Sequence, residues 1–226
     1  MAYSPLPTKA SQDYFTLGNY NAVKHNFEAG VPDVFTAKGD LAVGVGPNAA
    51  APLAVGSNNS VIISDEFETT GMAWQIIPGA RVYNSANIDP NPSSWTPLSL
   101  DSERTDAEAM HSATAAYRRL VVPSGGDGLY LIGGSVTFDT SGASSGGSIK
   151  GLRIVLNSTI IIAERLIGVV HGSLDYALSL CTLYELAAAD YVELVAYTST
   201  DVDIVASGNS SPEFWAVWQR RSRRYL

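Results

Sequence analysis

The stretch G-L-Y-L-I-G-G-S-V-T-F, from Gly128 to Phe138, decides the fold of this chain. It is rich in β-branched and aromatic residues, and similar short segments follow it, each bounded by Gly, Ser, Asn or Asp. These segments read L-R-I-V-L (152–156), T-I-I-I-A-E (159–164), S-L-C-T-L-Y-E-L (179–186), Y-V-E-L-V-A-Y (191–197) and P-E-F-W-A-V-W (212–218). Short strands at this spacing, with no helical period between them, predict an antiparallel sandwich or barrel.

The composition is that of a globular protein with one substantial core. Of the 226 residues, 46% are hydrophobic and 16% are charged, and the formal net charge is -8. Because phosphate contacts need clustered Lys and Arg, this acidic balance argues against a nucleic-acid partner. The start of the chain lacks the regions of a secretion signal, and no window reaches the roughly 18 apolar residues of a membrane span. We therefore expect a chain that is made in a cytoplasm and does not insert into a membrane.

Residues that usually carry chemistry are scarce. Cys181 lies in an apolar strand pattern and is expected to be a small buried hydrophobe. The three histidines are far apart and lack the spacing of a metal site, and the G-A-S-S-G run (142–146) lacks the strand-to-helix context of a nucleophile. Asp201 and Asp203 flank a turn, where a calcium loop is an alternative to ordinary turn hydrogen bonding. The sequence thus predicts no enzyme, no metal site and no cofactor.

Residues 1–34 form a distinct N-terminal segment that contains a predicted short helix. Tyr20, Val23 and Phe27 recur at helical spacing between Gln12 and Glu28. Because so short a helix is marginal in water, it should pack either on its own domain or on another protein. The candidate contact residues are apolar or aromatic: Tyr14, Phe15, Tyr20, Val23 and Phe27.

Residues 35–77 are rich in Gly, Ala, Asn and Val, and they are predicted to form a β-rich neck. Their apolar runs are short, at 41–43, 53–55 and 61–63, and turn residues separate them. This is too little apolar surface for a private core. Such a segment is expected to be stable mainly where copies from neighbouring chains complete it.

The neck contains K-G-D-L (38–41), L-A-V-G (53–56), V-I-I-S-D (61–65) and T-G-M-A-W (70–74) in that order. With this order and spacing it resembles a segment found in many bacteriophage fibre and virion appendage proteins. At Asn59 the resembling segments more commonly have Gly. The resemblance implies that the neck belongs to a virion appendage.

A second resemblance covers residues 78–219, the predicted head. The segments that carry it are A-R-V-Y-N (80–84), W-T-P-L (95–98), D-S-E-R-T-D-A-E-A-M-H (101–111), R-L-V-V-P (119–123), G-L-Y (128–130), L-N-S (156–158), A-D-Y-V-E-L (189–194) and P-E-F-W-A-V (212–217). They are similar to the jelly-roll head of the tumour necrosis factor and complement globular-head superfamily, and more narrowly to its phage version. Ser158 and Ala189 stand where Gly is usual. The resemblance implies a ten-stranded, two-sheet antiparallel sandwich that assembles as a tight trimer.

Two strands give the trimer independent support, because they are apolar on both faces. These are Tyr191–Tyr197 and Phe214–Trp218. A strand of this kind needs a second cover. A neighbouring subunit about a threefold axis would supply it, and a loop or helix of the same chain is the alternative. The candidate trimer-packing residues are Tyr130, Tyr191, Val195, Tyr197, Phe214, Trp215 and Trp218.

Other surface features suggest contacts outside the subunit. Aromatic residues could stack on sugars of a host surface, although packing within the protein would also explain them; the candidates are Tyr83, Trp95, Tyr117 and Tyr176. The tail, residues 220–226, is basic in an acidic chain through Arg220, Arg221, Arg223 and Arg224. Such clustering favours an acidic surface, and a frayed terminus is the alternative.

The order of anchor, neck and knob predicts a structural component of a bacteriophage virion. On this hypothesis residues 1–34 bind other virion proteins of the capsid or tail, three necks intertwine, and the heads project as a short fibre, spike or decoration. The alternative is a dedicated receptor-binding adhesin that recognises a host-surface glycan or protein. An enzyme that degrades an envelope polymer is disfavoured, because no carboxylate pair suits it.

Overall fold

The computed structural model describes residues 35–47, 49–114, 117–139, 147–169, 174–209 and 211–221. All regular elements in these ranges are β-strands. The predicted helix between Gln12 and Glu28 lies outside them. The strands are β1 (Leu41–Gly46), β2 (Ala49–Leu53), β3 (Ser60–Ser64), β4 (Met72–Ile76), β5 (Gly79–Tyr83), β6 (Ser94–Pro97), β7 (Ser102–Asp106), β8 (Arg119–Val121), β9 (Gly128–Phe138), β10 (Ile149–Leu156), β11 (Ile160–Gly168), β12 (Tyr176–Leu186), β13 (Tyr191–Thr198) and β14 (Glu213–Arg220).

The chain divides into two compact units. The first comprises Met1–Asn58 and Ile62–Trp74, and the second comprises Asn59–Val61 and Gln75–Leu226. The division at Trp74 falls shortly before residue 77, where the sequence places the end of the neck. β1 pairs with β2, and β3 pairs with β4, in separate two-stranded sheets. An isolated two-stranded sheet is at best marginally stable in water.

The neck motifs form the turns of the first unit. Gly39 has a φ of 91°, which a residue with a side chain rarely adopts. The carboxylate of Asp40 accepts hydrogen bonds from the backbone N–H groups of Thr36 and Ala37, each at 2.8 Å, and these bonds hold its pKa below the usual range. Trp74 Nε1 donates to the carbonyl of Ala54 at 2.7 Å. These motif residues therefore fix the backbone geometry of their turns.

The first unit lacks a core among its described residues. Val43 is its only described hydrophobic residue that is buried. Large apolar side chains remain exposed, namely Phe35, Leu41, Val45, Val55, Ile62 and Phe67. The prediction that this stretch cannot bury enough apolar surface by itself therefore agrees with the structure.

The second unit is an antiparallel jelly-roll sandwich, as the sequence predicts. Sheet I has the strand order β12-β9-β14-β5-β7. Sheet II has the order β11-β10-β13-β6, and β8 also pairs with β13. All pairings in both sheets are antiparallel. Within the described residues each sheet contains five strands, so together they give the ten strands that the head resemblance implies.

The stretch Gly128–Phe138 is β9, which lies between β12 and β14 in sheet I. Its even-numbered side chains point into the core, and the hydroxyl of buried Tyr130 donates to the carbonyl of Gly126 at 2.6 Å. Burial raises the pKa of Tyr130. At Gly134 a Cβ would lie 2.6 Å from Leu194 Cδ1, so the absence of a side chain there lets the two sheets approach. The neighbouring Gly133 faces outward and has a different role, described below.

The three positions where the sequence departs from a glycine of the resembling families share one backbone property. Asn59, Ser158 and Ala189 have φ values of 63°, 59° and 71°. Left-handed backbone costs an L-residue roughly 1–2 kcal/mol, whereas Gly adopts it readily. The left-handed backbone at these turns explains why the resembling families usually have Gly there. In this chain, each of the three residues carries a small backbone strain.

Replacing Ala189 by Gly is expected to raise the free energy of unfolding by about 0.5–1 kcal/mol, because relief of the left-handed strain exceeds the entropy that a new Gly adds to the unfolded chain. Urea denaturation at one fixed protein concentration measures the change. Ala188→Gly is the matched control, since Ala188 is also exposed but has no positive φ. It should lower stability slightly, and an equal gain in both variants would contradict the explanation.

Candidate functional site

The outward face of sheet I carries a row of exposed aliphatic side chains. Leu183 of β12 is paired with Leu131 of β9, and Leu131 is paired with Val217 of β14. The exposed fractions of these residues are 57%, 37% and 39%, respectively. We call Leu183, Leu131 and Val217 the aliphatic row. Monomeric soluble proteins expose large contiguous apolar patches infrequently, so such a row marks a candidate interaction surface.

The adjacent row of the same face crosses the whole sheet. It runs through Cys181, Gly133, Trp215, Arg81 and Thr105, which are paired in that order. A Cβ at Gly133 would lie 2.5 Å from Cζ2 of Trp215, so the indole lies directly against the glycine backbone. Gly133 thus keeps the indole close to the sheet.

Cys181 is exposed, and the expectation of a buried hydrophobe is wrong. The inward residues of β12 are the even-numbered ones, with Leu178 and Leu186 fully buried. Cys181 is at an odd position and so points outward with Leu183. The sequence pattern correctly predicts the strand β12. It does not indicate which of the two apolar faces of that strand points into the core.

A cavity lies beside Trp215, toward the β5–β7 side of the face. Its volume is about 520 Å³, and it is lined by Gly79, Ala80, Arg81, Thr105, Trp215 and Val217. Val217 belongs to both the cavity and the aliphatic row. β12, which carries Leu183, forms the opposite edge of sheet I.

A buried carboxylate fixes the charged rim of this cavity. Glu213 is 1% exposed, and its two oxygens accept from Arg81 Nε at 2.9 Å and Arg104 Nε at 2.8 Å. The guanidinium carbon of Arg104 also lies 3.9 Å from the centre of the Tyr83 ring. Two guanidinium groups around one carboxylate leave a local excess of positive charge. The carboxylate thereby orients both arginines, because charge-assisted hydrogen bonds of this kind are short and directional.

This cluster joins three separate segments of the head resemblance: A-R-V-Y-N supplies Arg81, D-S-E-R supplies Arg104, and P-E-F-W supplies Glu213. Sequence reasoning did not assign it. In A-R-V-Y-N and P-E-F-W the signal was a single charged residue in a largely apolar motif, whereas Arg104 lies among other charged and polar residues and gives no such signal. Without knowledge of which strands pair, those charges could not be matched.

The rest of the D-S-E-R-T-D-A-E-A-M-H segment stabilises its own turns. Burial opposes ionisation of Asp101, but hydrogen bonds from the hydroxyl and N–H of Ser85 outweigh it and keep its pKa below the usual range. Asp106 accepts from the N–H groups of Met110 and His111, each at 2.9 Å. His111 Nδ1 lies 3.0 Å from Glu103. These contacts are structural.

The outward face of sheet II has different character, because arginines cover its aromatic rings. Arg119 lies over Tyr191 with its guanidinium carbon 4.0 Å from the ring centre. Arg153 lies 3.7 Å over Trp95, whose ring is 5.2 Å from that of Tyr197. Arginine stacks well on aromatic faces, so these rings are covered within the subunit.

The trimer-packing candidates therefore need correction. Tyr130, Phe214 and Trp218 lie in the subunit's own core, where a neighbouring chain cannot reach them. Tyr191, Val195 and Tyr197 belong to sheet II, whereas Trp215 belongs to sheet I. Of the seven candidates, Trp215 is the one on the outward face of sheet I. The two strands that are apolar on both faces, β13 and β14, lie in sheet II and sheet I, respectively. Their inner faces contribute to the same core.

The sugar-stacking candidates do not come together. Tyr83 and Trp95 lie in different sheets, each beneath an arginine, whereas Tyr117 is an exposed loop residue and Tyr176 is half-buried at the start of β12. Sugar stacking by any of the four stays a prediction. The N-terminal contact candidates Tyr14, Phe15, Tyr20, Val23 and Phe27 lie outside the described residues.

The basic tail is described only at its start. Arg220 donates to Glu185 at 2.9 Å, and both side chains are partly exposed. Arg221 is the last described residue, so Arg223 and Arg224 lie beyond the structure. The first arginine of the tail thus pairs within its own head.

Lys150 is a buried charged residue that sequence reasoning missed. Its ammonium group donates to the hydroxyls of Thr198 at 2.7 Å and Thr200 at 2.8 Å, and burial lowers its pKa. Strict alternation back from Leu152 and Ile154 would have placed it inside. In the described part of the chain, no three His, Cys, Asp or Glu residues lie close enough to hold a metal ion. Nor does any helix there have the length and apolarity to cross a membrane.

Comparisons with known proteins give likeness at the level of fold. No family model and no curated protein matches this chain. Among solved structures, the chain is similar to the globular domain of zebrafish complement 1qA protein, with 14% sequence identity over 64% of this chain and 98% of that chain and a TM-score of 0.45. It is also similar to murine APRIL, with 9% identity over 63% of this chain and 99% of that chain and a TM-score of 0.42. Neither likeness extends to function.

Proposed function

We propose that this chain is the subunit of a homotrimer in which the outward face of sheet I is shared between copies. The observation that carries the proposal is the aliphatic row, which crosses three strands and is left exposed by the described residues of the subunit. Burying apolar surface stabilises by about 25 cal/mol per Å², so association of such faces is favourable. On the opposite face of the sandwich arginines cover the aromatic rings, and the exposed Ile149, Ile161 and Leu166 are not paired with one another, so they form no such row.

The first unit supports the same proposal from separate residues. Its described part buries a single hydrophobic side chain, Val43, and consists of two-stranded sheets. Copies of the neck that pack together would cover Phe35, Leu41 and Val55. The copy number of three comes from the resemblance of the head to the tumour necrosis factor superfamily.

The proposed setting of this trimer is a bacteriophage virion. Support comes from the ordered neck motifs between Lys38 and Trp74, which resemble those of phage fibre proteins. Residues 1–34 would then attach the trimer to capsid or tail proteins, and the heads would project as a short fibre, spike or decoration. The protein would be made in the bacterial host cytoplasm and act structurally, without catalysis or a cofactor.

A receptor-binding role is the alternative within the same assembly. With sheet I faces turned toward each other, the outward face of sheet II would point away from the threefold axis. That face presents Arg153 and the half-exposed Leu166 beside Trp95. A glycan or protein on the host surface could contact it, and binding of labelled heads to host cells would support this role.

Light scattering after size exclusion is expected to give a mass about three times 23.9 kDa at micromolar concentration. The single cysteine offers a second readout, because Cys181 lies on the proposed shared face and is exposed in the subunit. A maleimide reagent should label it slowly in the assembly and quickly after dissociation. A folded monomer with a freely reactive thiol would overturn the proposal.

Localisation on particles tests the virion setting separately from the trimer. Antibody labelling of intact phage should place the protein on capsid, tail or baseplate. A variant without residues 1–34 should still form trimers but should be missing from particles. A trimeric protein that no phage particle contains would remove the virion role and leave the trimer standing.

A further inference from the structure

The cavity beside Trp215 exists because a glycine faces outward at this point of sheet I. Gly79 is paired with Val217 of β14, and its neighbour Ala80 points into the core. Outside the adjacent residues, no heavy atom would lie closer than 3.9 Å to a Cβ at Gly79, so the missing side chain leaves open space. Its volume of about 520 Å³ lies within the range of roughly 300–1,000 Å³ that is typical of small-molecule sites.

Two polar groups that line the cavity have hydrogen-bonding capacity that the described residues do not use. Arg81 donates through Nε to Glu213 and through Nη2 to the carbonyl of Asn209, which leaves Nη1 without a partner in the described part of the chain. Thr105 is paired with Arg81 across β7 and β5, and its hydroxyl also makes no hydrogen bond to a described residue. Both groups can therefore donate to a ligand in the cavity.

The charge on this side of the cavity is positive. Arg81 and Arg104 share the single carboxylate of Glu213. The acidic residues of β7 do not supply a second carboxylate, because Glu103 and Asp106 have other partners. A carboxylate that entered the cavity would therefore meet unbalanced positive charge. Guanidinium groups bind carboxylates through short, directional hydrogen bonds, so an organic acid is the class of ligand that this side favours.

We propose that the cavity binds a small aromatic carboxylate. The carboxylate accepts hydrogen bonds from Arg81 Nη1 and the hydroxyl of Thr105, and the aromatic body lies over Gly79 between Trp215 and Val217. Small-molecule sites are mostly apolar and have a few placed polar groups, as this cavity does. All the lining residues belong to one subunit, so the site goes beyond the proposed function and does not depend on the number of copies.

Isothermal titration calorimetry of the full chain with naphthoate tests this site. We expect one bound naphthoate per subunit, and naphthylmethanol, which has the same rings without the charge, should bind about tenfold more weakly or worse. Thr105→Val removes the hydroxyl at an exposed position and keeps the shape of the side chain. It should weaken naphthoate binding by about tenfold, because one hydrogen bond to the carboxylate is lost.

Gly79→Val fills the cavity while its polar groups stay in place. Position 79 has no positive φ and a Cβ there meets no close atom, so the strand should accept the side chain. Naphthoate binding should fall by about tenfold or more, because the space for the rings is taken. Gly168→Val is the matched control, since Gly168 is an exposed strand glycine of sheet II with no positive φ and open space around a Cβ. It should bind naphthoate as the wild type does.

Light scattering on the same samples separates the outcome for this site from the outcome for the trimer. A trimer that binds no naphthoate, or a Gly79→Val variant that binds it as tightly as the wild type, overturns the site and leaves the proposed function intact. Equal binding of naphthoate and naphthylmethanol overturns the assignment of Arg81 as the carboxylate partner. Binding that appears only after dilution into monomers overturns the site in the assembled protein, because a neighbouring copy then fills the cavity. A monomer that shows the expected pattern of binding overturns the trimer and supports the site.

Discussion

Replacing Phe214 by alanine is expected to lower the free energy of unfolding by about 3–5 kcal/mol. The side chain is fully buried in the core between the two sheets, and its neighbours across the sheet are Val82 and Gly134. Free energies of unfolding are commonly about 5–15 kcal/mol, so this loss should leave the variant only marginally folded. Urea denaturation followed by far-UV circular dichroism measures the loss.

Trp215→Ala is the matched control, because it removes the next aromatic residue of the same strand from the opposite face. The Trp215 indole covers Gly133 and lines the cavity, so its loss should change association more than folding. The variant should keep its β-sheet spectrum at low urea, whereas its mass by light scattering should fall on dilution. Equal loss of the folded spectrum in both variants would show that the two faces of β14 are wrongly assigned.

The same strand shows how far the sequence could go. Alternation in P-E-F-W-A-V-W predicts a strand and separates Phe214, Ala216 and Trp218 from Trp215 and Val217. It cannot say which set is inside, because both are apolar. That choice depends on the neighbouring strand, where Gly133 leaves room for an indole outside and Gly134 leaves room for Leu194 inside.

The sequence also does not indicate which side chains from distant strands contact one another. Arg119 and Arg153 cover rings that the sequence alone shows as bare, and they come from other strands. Glu213 meets Arg81 and Arg104 only because β14 and β7 both flank β5. The interpretation of Tyr191 and Tyr197 as subunit contacts was therefore right that this face of β13 is apolar. It missed that Arg119 covers Tyr191 and that Tyr197 packs against Trp95 within the same subunit. Local patterns predicted the elements, and strand pairing decided the candidate site.

Leu183→Asp is expected to weaken association of the subunits at least 100-fold. Burying one leucine contributes about 1.5–3 kcal/mol, and a carboxylate forced into the interface adds a desolvation cost. A tenfold rise in the dissociation constant corresponds to about 1.4 kcal/mol. The two effects together cost more than about 2.8 kcal/mol, which corresponds to a rise of more than 100-fold. Because Leu183 is 57% exposed in the subunit, the fold itself should be little affected. Sedimentation across a dilution series measures the dissociation constant, and circular dichroism checks the fold.

Leu166→Asp separates a specific contact from a general effect of added charge. Leu166 is also an exposed leucine on a strand, with 50% of its surface accessible, but it lies on the outward face of sheet II. The substitution adds the same charge to the opposite side of the sandwich. The variant should therefore dissociate at the same protein concentration as the wild type. If Leu166→Asp dissociated the subunits while Leu183→Asp did not, sheet II would be the shared face. If both variants stayed assembled to nanomolar dilution, the aliphatic row would be an exposed surface that association does not use, and the neck would have to hold the copies together alone.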